Sequence, residues 1–200
     1  MFSEGYYLIT EKKEIDRVLR LNYKLFASPE YYFGEDTLQN DESLFNTSVF
    51  KILTVFLSCG RFRSPSNTYI ALNSIIKNFN SNIFIDYCYF PFYKDLSLLQ
   101  KLKLPLLFGN VSHAYVCDYD LVLVNISVNK EIFNLPIILH NSSIPLSCDL
   151  RLKDSAVPLF ILGGSSSCVA HGAFGETGYG KSLVDLAVFG KAESVLPEII

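Results

Sequence analysis

One stretch of the chain reads Asp120-Leu-Val-Leu-Val-Asn-Ile-Ser127, which is apolar at nearly every position between its two ends. A strand that is covered by helices on both faces buries every side chain, so continuous apolar runs are typical of a parallel sheet. Four other runs along the chain have a similar character. We therefore predict five strands, over Val49–Ser58, Ile83–Phe90, Asp120–Ser127, Val157–Leu162 and Leu186–Phe189.

Helical patterns alternate with these strands. Apolar residues recur at helical spacing in Tyr69–Asn80, Asp95–Leu104 and Glu131–His140, and a further helix starts in Ala192–Ile200. Strands that alternate with helices, joined by right-handed crossovers, form a doubly wound α/β fold. We predict a mostly parallel five-stranded sheet with helices on both faces. In such folds a ligand binds beyond the carboxyl ends of the strands.

The first part of the chain has a different character. Ile15, Val18 and Leu19 recur at helical spacing before the first predicted strand. We predict that residues 1–46 form an N-terminal helical extension packed on the main domain. Residues 47–200 then form the doubly wound domain.

The composition excludes several classes of protein. Half of the 200 residues are hydrophobic and 18% are charged, which is too apolar for a disordered chain. Seventeen basic residues against twenty acidic ones leave a formal charge of −3, without the basic excess of a dedicated nucleic-acid binder. The longest apolar runs are too short to span a membrane, and the N-terminus has no signal-peptide pattern. The five cysteines lack a disulfide-framework spacing, so we expect a cytoplasmic protein. From the charge balance and the short apolar runs, we expect neither nucleic-acid nor membrane partners.

Small and polar residues follow several of the predicted strands. The loop Ser58–Thr68 contains Arg61 and Arg63 before a helix, so guanidinium and free backbone N–H groups there suit a phosphate or carboxylate. The alternative is a solvated loop in which Ser66 or Asn67 only caps the helix. Paired glycines permit close approach to a ligand, but they also serve plain turns. The predicted binding residues are Ser58, Gly60, Arg61, Arg63, Ser127, Gly163, Gly164 and Gly190.

A second candidate site matches the P-loop sequence motif. The run Gly175-Glu-Thr-Gly-Tyr-Gly180-Lys181-Ser182 satisfies G-x-x-x-x-G-K-[ST], in which Lys181 would reach the terminal phosphates and Ser182 would hold magnesium. A P-loop must leave a buried strand and enter a helix, whereas small, mixed residues precede this run. Only eighteen residues follow Ser182. We keep a nucleotide-binding protein as an alternative function.

Three blocks of the chain, in this order, resemble the N-terminal cobalamin-binding-like domain of radical S-adenosylmethionine proteins. They are Asp120–Ser127, Pro158–Gly164 and the run Asp185-Leu-Ala-Val-Phe-Gly190-Lys-Ala-Glu193, of which the last is the most specific. In that family a strand ending in Gly-Gly precedes one that reads D-x-hydrophobic-hydrophobic-G-E-G-E. The resemblance covers about residues 48–200. It implies a Rossmann-type domain beside a catalytic radical S-adenosylmethionine domain, in cis or in trans.

The chain departs from the family's pattern in three places. The loop Ser58–Thr68 contains no His, so the resemblance allows cobalamin here only without His ligation. Lys191 and Ala192 stand where the family has Glu and Gly. No cysteines have the Cys-x3-Cys-x2-Cys spacing, so this chain has no ligand set for the family's iron–sulfur cluster.

The resemblance therefore implies a non-catalytic, cobalamin-binding-like domain that presents a ligand or a partner. A pure protein-interaction module, whose pocket is filled by its own side chains, is a further alternative. No nucleophile–base set and no metal-ligand cluster stands out, so we predict no catalytic or metal-binding residues.

Overall fold

The computed structural model describes residues 7–34, 42–59, 66–170, 173 and 182–200. The strands are β1 (Phe50–Phe56), β2 (Ile83–Tyr89), β3 (Leu121–Asn125), β4 (Leu159–Gly163) and β5 (Leu186–Ala187). The helices are α1 (Lys12–Leu21), α2 (Glu42–Thr47), α3 (Asn67–Phe79), α4 (Tyr93–Lys101), α5 (Asn134–His140), α6 (Cys148–Arg151) and α7 (Ala192–Ile199). Short 3-10 turns lie at Tyr23–Leu25, Pro29–Tyr32, Val116–Asp118, Asn129–Phe133 and Ser167–Val169.

The five strands form one parallel sheet in the order β2-β1-β3-β4-β5. The chain first adds β2 on one side of β1 and then returns to add β3 on the other side. This reversal is the topological switch point of a doubly wound sheet, next to which ligands bind. The predicted fold class is confirmed.

Helices cover both faces of the sheet. On one face, Ile52, Leu123 and Ile161 of the strands pack with Tyr69 and Ile76 of α3 and Leu196 of α7. On the other face, Leu53, Val122 and Leu162 pack with Leu19 of α1, Leu99 of α4 and Ile138 of α5. Alternate strand residues therefore belong to opposite cores, as the pleat requires.

Element ends differ from the sequence prediction where single residues interrupt a regular backbone. The predicted helix Asp95–Leu104 ends at Lys101, because Lys103 adopts a left-handed φ of 57°. The predicted strand Leu186–Phe189 keeps two residues in regular pairing, and the chain turns at Gly190 with φ 125°. The predicted helix over Glu131–His140 begins as a 3-10 turn and becomes α-helical at Asn134.

The N-terminal segment shares the core of the sheet. Ile15, Val18 and Leu19 of α1 are buried against the face that α4 and α5 also cover. Further along, the backbone N–H of Ala27 and the hydroxyl of Tyr32 both donate to the buried carboxylate of Asp95, at 2.7 and 3.1 Å. The segment is therefore fixed to the domain by apolar packing and by buried hydrogen bonds.

His113 makes a second polar link to the N-terminal segment. Its Nδ1 lies 2.8 Å from Asp16 Oδ1, and its Nε2 lies 2.8 Å from the Tyr32 carbonyl oxygen. A carbonyl oxygen only accepts, so the Nε2–H of His113 donates to Tyr32. This histidine is buried and structural.

None of the helices in the described ranges is long and apolar enough to cross a membrane.

Candidate functional site

A cleft of about 290 Å³ lies between α3 and α7, at the carboxyl ends of β3, β4 and β5. Its apolar lining is Leu72, Leu123, Val124, Ile161, Val188, Ala192 and Leu196. Its polar lining is Thr68, Asn125, Ser165, Lys191 and Glu193, and three glycines complete it: Gly163, Gly164 and Gly190. The cleft lies at the edge where doubly wound folds bind ligands. Its volume is close to the lower end for small-molecule pockets.

The last rung of the sheet explains why the cleft opens there. Tyr89 of β2 lies in register with Phe56 of β1. Asn125 of β3 flanks Phe56 on its other side, and Gly163 of β4 flanks Asn125. Residues in register in a parallel sheet point to the same face. The side chains on this rung are therefore aromatic in β2 and β1, an amide in β3 and a single hydrogen in β4. The cleft lies at β3 and β4, where these side chains are smallest.

The paired glycines after β4 have different roles. Gly164 has a φ of 109°, and a Cβ on it would lie 2.4 Å from the Ile126 carbonyl oxygen, so only glycine fits. A Cβ on Gly163 would meet no atom within 4 Å. Gly163 also shares a face with Ile161, which lines the cleft. Gly164 therefore permits close backbone packing, whereas Gly163 leaves space in the cleft.

Hydrogen bonds fix the loops that border the cleft. The backbone N–H groups of Ser127 and Val128 donate to Glu131 Oε2, at 2.8 and 3.1 Å. The Ser166 hydroxyl donates to the Ser127 carbonyl at 2.8 Å, which joins the loop after β3 to the loop after β4. The Asn125 amide donates weakly to the Ser127 hydroxyl at 3.3 Å. The rim is therefore preorganised.

Among the described residues that line the cleft, charged side chains lie only at its mouth. Of the residues that line it, Lys191 and Glu193 are charged, and both are exposed. Leu123, Ile161 and Leu196 of the lining are buried and apolar. Burying a charge without a partner costs several kcal/mol or more, so the interior suits a neutral group.

The structure brings together only some of the residues predicted to bind. Gly163, Gly164 and Gly190 line the cleft, and Ser127 lies in the loop beside it. Ser58 follows β1 and is half-buried, outside the set of lining residues. Three further predicted residues lie outside the described ones: Gly60, Arg61 and Arg63.

Sequence reasoning missed the polar residues of the cleft. Thr68 is the last residue of the loop that was singled out, but it was not among the predicted binding residues. Asn125 ends an apolar run, and the strand pattern alone assigns no role to a polar residue there. Lys191 and Glu193 begin the helix after β5. One signal could have identified Asn125: it lies at the carboxyl end of a predicted strand, two residues before the predicted binding residue Ser127.

The other half of the carboxyl edge is filled by aromatic rings. Phe56 and Tyr89 stack at 4.8 Å between ring centroids. Tyr31 of the N-terminal segment adds a third ring, 5.2 Å from Tyr89 and 5.5 Å from Phe92. Burial raises the pKa of Tyr31 and of Tyr89, so both phenols are neutral at physiological pH. Among the described residues, aromatic packing therefore fills this half.

Within the P-loop run Gly175–Ser182, the structure describes Ser182, and the surroundings of Ser182 do not support the P-loop alternative. Gly175, Gly180 and Lys181 lie outside the described residues. The Ser182 hydroxyl lies 2.7 Å from the Ala173 carbonyl oxygen and 2.6 Å from that of Val184. The chain after Ser182 enters β5, whereas a P-loop serine begins a helix.

The most specific block of the resemblance contains a structural carboxylate. Asp185 pairs with Arg151 at 2.8 Å, and both side chains are almost fully buried. The remaining guanidinium N–H groups of Arg151 donate to backbone carbonyls, those of Pro145, Leu146 and Leu183. The Phe160 N–H also donates to Asp185, at 2.7 Å. Asp185 therefore joins β4, β5 and the segment around α6.

A larger open depression of about 410 Å³ lies at the opposite, amino-terminal edge of β3 and β4. Its carboxylates serve the backbone: Asp118 accepts from the Tyr115 N–H, and Asp120 accepts from the Lys51 N–H. Burial raises the pKa of Asp118. Asp118 therefore stabilises a local turn, whereas Asp120 joins the start of β3 to β1. Within the described ranges, no group of three or more His, Cys, Asp or Glu residues is placed to hold a metal ion.

Cobalamin, the cofactor that the resemblance implies, is larger than the described cleft of about 290 Å³, so its corrin ring would extend beyond the described lining residues. Of the described histidines, His113 is engaged with Asp16 and Tyr32, and His140 ends α5 on the opposite face. His171 lies outside the described residues.

Comparisons of the chain with protein-family models, with curated proteins and with solved structures found no match. The resemblance to cobalamin-binding-like domains therefore stays a prediction. The arguments for function come from the cleft itself.

Proposed function

We propose that this chain is a non-catalytic module that binds a small, largely apolar molecule in the cleft between α3 and α7. The observation that carries this proposal is the open end of the last sheet rung, where Gly163 leaves space above a buried apolar floor. The cleft lies at the carboxyl edge of a doubly wound sheet, and its rim is fixed by hydrogen bonds. The residues that line it contain no nucleophile–base pair, so binding rather than catalysis is the proposed activity.

The test is a titration of the ¹⁵N-labelled chain with indole, a two-ring apolar probe. We expect the amide signals of Gly163, Gly164 and Gly190 to move together and to saturate. Gly163→Leu fills the cleft and should abolish these shifts without unfolding, because its Cβ meets no atom. The matched control is Ser155→Leu, which adds the same side chain at the opposite edge, where Ser155 borders the open depression. Shifts that survive Gly163→Leu, or the absence of shifts in the unsubstituted chain, would contradict the proposal.

The implied cofactor gives a second arm to this test. A titration with hydroxocobalamin, followed by visible absorbance, should leave the spectrum unchanged, because the cleft is too small for the corrin ring. A spectral change that Gly163→Leu removes would show that the cleft accepts cobalamin without a His ligand. That outcome would overturn the small-ligand proposal and favour the resemblance.

A second candidate function is contact with a radical S-adenosylmethionine catalytic domain, in cis or in trans, as the resemblance implies. It is favoured by apolar side chains at the β5 edge, where Leu186 is 49% exposed and Phe189 is 59% exposed. Crosslinking in the source cells, followed by mass spectrometry, should identify a protein segment with Cys-x3-Cys-x2-Cys. Phe189→Ser should reduce that crosslink. Crosslinks only to proteins without this motif would contradict the candidate.

A further inference from the structure

Asn125 is a polar residue that lines the cleft at the end of β3. It is the last residue of β3, is half-buried, and lies on the rung between Phe56 and Gly163. A side-chain amide offers two donors and an acceptor oxygen with two lone pairs. One N–H donates to the Ser127 hydroxyl at 3.3 Å, and among the described residues none donates to Oδ1. An N–H and the oxygen of this amide are therefore available to a ligand.

Gly164 keeps this amide clear. A Cβ on Gly164 would lie 2.9 Å from Asn125 Oδ1, closer than carbon and oxygen normally approach without a hydrogen bond. The glycine thus has two reasons to lack a side chain, namely its left-handed φ and the neighbouring amide.

The rest of the floor restricts what can lie beside the amide. Leu72 and Leu196 come from the two helices, and Leu123 and Ile161 come from the strands. Such surfaces favour a ring that is neutral, because a charged group there would lose its water without gaining a partner. A cleft of about 290 Å³ holds one or two fused rings.

We propose that the ligand of this cleft is a planar heterocycle of one or two rings with a hydrogen-bond donor and an acceptor side by side. Asn125 recognises this edge with Oδ1 and Nδ2, in the two-point manner by which Asn pairs with the edge of adenine. The inference rests on the proposed function, that the cleft binds a small molecule. It adds the chemical class of the ligand and the residue that selects it.

The experiment compares 7-azaindole with indole as probes. The two have the same shape, but 7-azaindole carries a ring nitrogen acceptor beside its N–H, and indole carries the N–H alone. The extra hydrogen bond should make 7-azaindole bind about threefold to tenfold more tightly, measured as the ratio of Kd values from amide shifts. In Asn125→Leu the ratio should fall to about one. Ser155→Ala, the control, removes a hydroxyl at the opposite edge of the sheet, leaves the amide and its partner, and should retain the preference.

The outcomes separate this inference from the function on which it rests. Equal binding of both probes in the unsubstituted chain, abolished by Gly163→Leu, would leave the proposed function intact and overturn the role of Asn125. A preference that persists in Asn125→Leu would do the same. Absence of binding by either probe would overturn both proposals. Thermal melting of each variant shows that it is folded before the ratios are compared.

Discussion

The two halves of the sheet's carboxyl edge have the same backbone topology but opposite character. At β1 and β2 the edge is closed by the stacked rings of Phe56 and Tyr89, with Tyr31 packed on top. At β3 and β4 the same rung carries Asn125 and Gly163, and the edge is open. Since parallel strands form both halves, the size of the side chain at one rung decides where a ligand has room.

The halves are also held by different forces. Tyr31 of the N-terminal segment contributes aromatic packing to the closed end. The described residues that line the open end include no aromatic side chain. This end borders β5, which is joined to β4 and the α6 segment through the buried Arg151–Asp185 pair. A buried ion pair outside the cleft lining therefore stabilises the open end, whereas aromatic packing stabilises the closed end.

The largest effect should follow from removing the ion pair beside the open end. Arg151→Ala leaves the buried carboxylate of Asp185 without its cation and three backbone carbonyls without a donor. We expect the free energy of unfolding to fall by about 3–5 kcal/mol, because an uncompensated buried charge is costly. Urea unfolding followed by circular dichroism measures it.

An exposed ion pair supplies the control for that comparison. Arg17 pairs with Glu14 on the surface of α1. Arg17→Ala removes a guanidinium of the same kind, and the urea midpoint should stay unchanged, because water and salt screen exposed charges. A loss in Arg151→Ala no larger than that in Arg17→Ala would refute the stabilising role assigned to the buried pair.

Much of the fold could be predicted because its main signal is local. The run Asp120–Ser127 is continuously apolar since β3 is buried on both faces, and that alone indicates a parallel sheet. The four-residue helix α6 had no such signal. Its place depends on the guanidinium of Arg151, whose partners lie up to 34 positions away along the chain.

The candidate site was predictable only in part. Gly163 and Gly164 were identified because glycines after a strand permit close approach. Asn125 and Thr68 were missed, since their role depends on which strands and helices become neighbours. The sequence also could not predict that Tyr31 packs at the other half. Its contact with the end of β2 joins residues far apart in the chain, and residue spacing within one element does not indicate such a contact.

A medium effect should distinguish two neighbouring tyrosines at the closed end. The Tyr32 hydroxyl donates to buried Asp95, whereas the buried Tyr31 hydroxyl has no partner among the described residues. Tyr32→Phe should lower the free energy of unfolding by about 1–3 kcal/mol. Tyr31→Phe keeps the ring and should leave stability unchanged or raise it by up to about 1 kcal/mol. If Tyr31→Phe proves as damaging as Tyr32→Phe, the closed end depends on that hydroxyl and not on the ring alone.

The smallest predicted effect is a pH-dependent contribution of Asp16 to the free energy of unfolding. The structural change on replacing Asp16 should be limited to the closed half of the carboxyl edge. Burial raises the pKa of Asp16, but hydrogen bonds from Arg20 and His113 outweigh this, so the folded pKa lies below the ordinary value of 3.8. A lowered carboxyl pKa stabilises the fold above pH 3.8, and the contribution disappears as pH falls through the lower folded value.

The measurement that checks it compares the chain with Asp16→Asn between pH 6 and pH 3. Asp16 is partly exposed, so we expect a difference in unfolding free energy below about 1 kcal/mol at pH 6, shrinking as the pH falls below about 4. Because Asp16 contacts His113, which also contacts Tyr32, ring signals of Tyr31 and Tyr89 should shift in Asp16→Asn. The Gly163 amide should not move. If the Gly163 amide signal shifts as much as the Tyr89 ring signals, the two halves of the carboxyl edge are coupled. The N-terminal segment would then influence the open cleft as well as the closed half.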